Sequence, residues 1–117
     1  MLVRCSMILS ALMLATYCVQ LSRAKSQGWH VQRAHILKHL ARQPDRSLVI
    51  VHYGKQHSPH DEWIYNEADI DRAKVVWARD MGPSRNRELL EYYHDRSVWL
   101  LEADAAEPGL VPYAADR

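Results

Sequence analysis

His57, His60, Asp61 and Glu62 stand together in one polar stretch, His57-Ser58-Pro59-His60-Asp61-Glu62. Imidazole and carboxylate groups are the ligands that zinc and related transition metals take, so this stretch is a candidate metal-binding loop. Its spacing is not the helical H-E-x-x-H arrangement and no third anchoring ligand is identifiable, which makes a solvated polar loop the simpler reading. Arg79-Asp80 is a second candidate, because a guanidinium beside a carboxylate can grip an anionic or sugar-like ligand. Its plainer role is an ion pair that fixes a strand end and caps the following helix. Among the aromatic residues Tyr53, Trp63, Tyr65, Trp77, Tyr92, Tyr93 and Trp99, only Trp63 and Tyr65 are expected to face a ligand; Trp77 and Trp99 fall in apolar runs and read as core. With Glu102, these residues complete the candidate set. No catalytic residue is assigned. Gly54 stands alone after the first apolar run, without phosphate-loop spacing, and no nucleophile elbow occurs, so a free-standing nucleotide enzyme is disfavoured and no cofactor is called for.

Positioning these groups requires elements that the hydrophobic pattern locates. Trp29, Ile36, Leu37 and Leu40 recur at i, i+7, i+8 and i+11, one face of a helix that Pro44-Asp45 ends. Ser47–Tyr53, Lys74–Arg79 and Ser97–Glu102 are short, nearly continuous apolar runs of the kind found in strands buried on both faces. Gly82-Pro83 opens a further helix with Ser84 as a cap and Leu89, Leu90 and Tyr93 as its apolar stripe. Residues 67–73, with Asp69 and Asp71 near their start, predict one or two helical turns. The order helix, strand, short helix, strand, helix, strand predicts an α/β fold, a small three-layer domain with about three parallel strands over residues 29–105, followed by an extended tail, 106–117. In such sheets ligands bind outside the carboxyl ends of the strands. Those ends are polar here: His52-Tyr53-Gly54-Lys55, Arg79-Asp80-Met81-Gly82 and Glu102-Ala103-Asp104.

Residues 1–28 form a separate unit. Cys5–Leu21 carries no charge and is mostly Met, Ile, Leu, Ala and Val, at the lower limit of roughly 17 residues for a spanning helix. A transmembrane helix is the first reading. A cleaved signal with Arg4 as its basic region and Ser22-Arg23-Ala24 as the cleavage site is the second, and a buried core helix the third. Cys5 and Cys18 lie in this stretch without metal-ligand spacing and read as buried or lipid-facing thiols. Arg23, Lys25, Arg33, Lys38 and Arg42 follow the segment, which on charge alone would hold the domain in the cytoplasm. With 15 Lys+Arg against 14 Asp+Glu among 117 residues, the chain lacks the basic excess of a nucleic-acid binder.

Four blocks, SLVIVHYG (Ser47–Gly54), HDEWIYNEADIDRAKVVWARDMG (His60–Gly82), NRELLEYYHDRSVWLLEAD (Asn86–Asp104) and LVPY (Leu110–Tyr113), carry a resemblance. Together they resemble the C-terminal soluble domain of bacterial multi-pass membrane proteins similar to dolichyl-phosphate-mannose–protein mannosyltransferases, with EWIYNEADID and KVVWARD the most specific parts. The resemblance implies a final spanning helix leading into this domain, and a domain outside the cytoplasm, which overrides the charge argument. It also implies that catalysis on a lipid-linked sugar belongs to acidic residues in loops among upstream membrane helices. This chain has no such loops, so no catalytic residue carries over. The expectation is a membrane-anchored, non-catalytic accessory domain, the tail of a larger glycosyltransferase-like protein or a separately encoded remnant of one. Its partners would be the membrane, a lipid-linked sugar or the upstream helices. The alternative is a small secreted or periplasmic module that binds a sugar or metal at the strand edge.

Overall fold

The first apolar run becomes the spine of the sheet. In a computed structural model, which describes residues 28–114 and Met13, β1 (Ser47–His52) is buried at every position but its last. It lies between β2 (Val75–Arg79) and β3 (Ser97–Glu102), parallel to both. A strand flanked on both sides and covered on both faces has no solvent-facing row, which is why SLVIV shows no polar alternation. Register is tight: Val49 stands beside Trp77 and Trp99, and Ile50 beside Ala78 and Leu100.

The pleat divides the apolar side chains between two cores. Val49, Val51, Val75, Trp77 and Leu101 face α1 (Trp29–Ala41), whose Trp29, Ile36, Leu37 and Leu40 supply the covering stripe. Leu48, Ile50, Val76 and Leu100 face α2 (Pro83–Tyr92), covered by Leu89, Leu90 and Tyr93. Each fully buried Leu, Ile or Val contributes about 1.5–3 kcal/mol relative to exposure. The three-layer arrangement and the three parallel strands match the expectation. A fourth strand, β4 (Leu110–Pro112), adds antiparallel to β3, so the sheet order is β2-β1-β3-β4 and the sheet continues past residue 105.

Two local expectations are corrected. Residues 67–73 hold bends and a turn rather than helical turns. The long crossover from β1 to β2 is instead ordered by side chains that bind its backbone. Arg33 of α1 donates to the carbonyls of Trp63 (2.7 Å) and Tyr65 (2.8 Å) while its guanidinium lies 4.5 Å over the Trp77 ring. Asn66 pairs in both directions with the backbone of Trp77, each bond 2.8 Å. That amide occupies the outer edge of β2 as another strand would, leaving less of it open to an intruding chain. Ser84 does not cap α2. The N-cap is Gly82, at φ +87°, a conformation that a side chain would strain.

The opposite end of the sheet is tied by arginine. Arg96, 6 % exposed, donates to the carbonyls of Ala73 (2.7 Å), Asp71 (3.0 Å) and Ser47 (3.4 Å). Arg46 donates to the Asp71 carbonyl (2.9 Å) and pairs with Asp95. Among the described residues no helix is long and apolar enough to cross a membrane. The expected spanning or signal segment lies, Met13 and Gly28 apart, outside them.

Candidate functional site

The two connections that leave β1 and β2 at their carboxyl ends diverge. The chain after β1 turns toward the α1 face, where Tyr53 and Trp63 join that core; the chain after β2 enters α2 on the other face. Adjacent strands whose exits part to opposite faces leave a crevice between them, the position where open α/β sheets bind ligands. A groove of about 470 Å³ lies there, lined by His52, Tyr53, Gly54, Lys55, His57, Pro59, Arg79, Asp80 and Gly82. Its volume falls within the usual range of small-ligand sites.

Three carboxylates hold the groove in shape. Asp80, at the end of β2, accepts from the Gly82 amide (3.0 Å) and the Asn86 side chain (2.7 Å) and pairs with His52 Nδ1 (2.8 Å). Burial disfavours its ionised form, yet these hydrogen bonds outweigh that cost and hold the carboxyl below its usual range. Asp104, just beyond β3, contacts His57 Nδ1 (2.6 Å) and accepts from the Gly54 amide (2.7 Å); here too the bonds prevail over burial and lower the carboxyl. A Cβ on residue 54 would lie 3.2 Å from the Asp104 carboxylate and would press that side chain outward by a few tenths of an ångström. Glu62 accepts from the Tyr53 hydroxyl and from the Ile64 amide (3.0 Å), the Tyr53 bond being the main cause of its lowered pKa. Burial, aided by the Glu62 bond, pushes the Tyr53 hydroxyl up to about 12, so it stays protonated and donating at neutral pH.

The bases are placed differently. Among the described residues no carboxylate lies within ion-pair distance of Arg79 or Lys55, and the Arg79 guanidinium rests 5.1 Å over the Tyr53 ring. The expected Arg79–Asp80 pair is therefore not formed: neighbours along a strand point to opposite faces, and Asp80 turns to His52 and α2. Both groove histidines contact a carboxylate through Nδ1, which leaves Nε2 as the ring nitrogen available to a ligand.

The candidate set from sequence is thus divided. Arg79, Asp80 and His57 meet at the groove. Glu102 pairs in register with His52 and ends β3 nearby, without lining the groove. His60 is exposed, with its backbone amide donating to the Ser58 hydroxyl (3.4 Å), and the Asp61 amide bonds the Ser58 carbonyl (3.0 Å). Among the described residues no three His, Cys, Asp or Glu side chains are grouped to hold a metal ion. Trp63 is 1 % exposed and packs in the α1 core, so it offers no face to a ligand. Tyr65 is exposed, but it stacks on Trp29 with ring centroids 6.4 Å apart, on the α1 face and away from the groove lining.

The sequence reading did not select His52, Tyr53, Lys55, Asp104 or Asn86 as site residues. Asn86 is the hidden organiser: 2 % exposed, it accepts from the Met81 amide (3.0 Å) and donates to Asp80 (2.7 Å) and to the Tyr113 hydroxyl (3.0 Å). Asparagine is a poor helix former, so its presence in the first turns of a helix after a polar strand end was the available signal. In comparisons with known proteins, no family model, no curated protein and no solved structure matches the chain.

Proposed function

We propose that the chain is a membrane-associated accessory module, without catalysis of its own, whose α/β domain holds a small polar ligand, a sugar first among them, between the carboxyl ends of β1 and β2. The observation that carries this reading is the groove at the point where the two strand exits diverge, with polar groups converging on it from both strands. The resemblance of Ser47–Tyr113 to the soluble tails of mannosyltransferase-like membrane proteins supports the sugar and membrane parts, and an extracytoplasmic setting. Rigid donors and acceptors with an aromatic wall at Tyr53 suit a hydroxyl-rich ligand. The same groove would serve a secreted or periplasmic binding module, and the two versions differ in where the native chain fractionates.

The test is a titration of the full chain, purified in detergent, with neutral hexoses and hexose 1-phosphates, followed through backbone amide resonances. Saturable shifts at His52–Lys55 and Arg79–Gly82 support the proposal, and their absence for every compound removes it. Glycosyl transfer from a lipid-linked sugar by a clean preparation would contradict the non-catalytic part.

A further inference from the structure

The charges around the groove are not distributed evenly. Asp80, Asp104 and Glu62 are each engaged by two or more donors of the protein itself: Asp80 by Gly82, Asn86 and His52, Asp104 by Gly54 and His57, Glu62 by Tyr53 and Ile64. Each is thus engaged by the fold itself. Arg79 and Lys55 line the same space with no carboxylate in ion-pair distance among the described residues. His52 and His57 line it as well, each with Nδ1 against a carboxylate and Nε2 unengaged. A ligand entering this groove therefore meets acids already engaged by the fold and two cations, Arg79 and Lys55, that no carboxylate pairs among the described residues.

From this asymmetry we infer that the ligand carries a phosphoryl group, and that the groove binds a phosphorylated small molecule, a hexose phosphate by size, rather than a neutral sugar. The inference rests on the proposed binding role of the groove and names its ligand class. A phosphoryl group offers several acceptor oxygens on one centre and carries one to two negative charges. It thus matches a planar guanidinium and an ammonium that line one groove, with the His52 and His57 rings beside them. A carboxylate-bearing ligand would use one edge of this donor set; a neutral sugar would leave Arg79 and Lys55 with no anion in ion-pair distance among the described residues. The Tyr53 ring, under the Arg79 guanidinium at 5.1 Å, holds that side chain at the groove without competing for its N–H donors.

The experiment is calorimetric titration of the full chain with glucose 1-phosphate, inorganic phosphate and glucose, with amide shifts locating each binding event. Glucose 1-phosphate is expected to bind at least about tenfold more tightly than glucose, as charge-assisted bonds require. Arg79→Ala should weaken glucose 1-phosphate by about tenfold or more, with Lys55→Ala showing a smaller loss of the same kind. Arg79→Lys, which keeps the charge but not the fork, should fall between, and it serves in place of the alanine variant if the α2 and β3 amide pattern shows that one to be misfolded. Inorganic phosphate binding as tightly as glucose 1-phosphate supports the phosphoryl assignment and makes the free ion the ligand. Equal affinity for glucose and its phosphate, unchanged in Arg79→Ala, overturns the inference while leaving a sugar-binding groove. Absence of groove shifts with all three compounds overturns both the inference and the binding role beneath it.

Discussion

The two ends of the parallel sheet use the same residue types in opposite ways. At the amino ends, the arginines are engaged by the fold: Arg96 is buried and its terminal nitrogens donate to the carbonyls of Ser47, Ala73, Lys74 and Asp71, while Arg46 binds the Asp71 carbonyl and Asp95. At the carboxyl ends, the acids are occupied and Arg79 and Lys55 are left facing a groove. A charged donor whose partners all belong to its own fold is a brace. One beside satisfied acids and open space is available for a ligand. Residue type alone does not separate a structural from a binding arginine; the origin of its partners does.

This contrast predicts unequal consequences of similar substitutions. The largest is expected for Arg96→Ala, which removes the buried donor to the carbonyls of Ala73, Ser47 and Lys74, Asp71 keeping Arg46, and should cost about 3 kcal/mol or more in urea unfolding. A loss below about 1 kcal/mol would mean that the amino end is not braced as described. Gly82→Ala forces a side chain onto a φ of +87° and should cost about 1–3 kcal/mol, read from the same unfolding midpoint. Asp80→Asn should cost less, about 1–2 kcal/mol, since the Gly82 amide can still be accepted.

Acid sensitivity sharpens the comparison further. Asp80, Asp104 and Glu62 have folded pKa values below their ordinary ones, so the unfolded chain binds their protons first. Their stabilisation is complete above the unfolded carboxylate range of about 4 and is lost as pH falls through the lower folded values. Urea midpoints of the native chain should therefore drop below about pH 4, and Asp80→Asn should show a shallower drop. Identical pH profiles would remove Asp80 from this account. Arg79→Ala should be the mildest of all for folding, within about 0.5 kcal/mol, because the side chain is exposed and braces no buried group.

Most of the scaffold was legible in the residues because continuous burial leaves a strong mark. SLVIVH, VVWAR and SVWLLE have no polar alternation, and the stripes of α1 and α2 sit at helical spacing. The errors arose where distant side chains decide the backbone. Asp69 and Asp71 resemble helix-start charges, but the Asp71 carbonyl is held by Arg46 and Arg96, and Asn66 is held by Trp77, so the crossover stays extended and turned. β4 is only three residues long and ends in proline, so no local pattern reveals its pairing with β3. Trp63 sits in a polar stretch and looks exposed, yet the crossover folds it into the α1 core. The groove's location followed from topology alone, whereas its membership depended on register. His52 meets Asp80 because β1 and β2 are adjacent and end together, and His57 meets Asp104 because the loop after β1 bends back toward the end of β3. Arg79 and Asp80 both line the groove but do not pair with each other.

The most direct test of the division between a braced end and a binding end is the map of backbone amide shifts when glucose 1-phosphate is added to the full chain. The account predicts saturable shifts concentrated at His52–Lys55 and Arg79–Gly82, with Arg46, Asp71, Asp95 and Arg96 unmoved. Shifts concentrated instead around those four residues, at the amino ends of the strands, would contradict it.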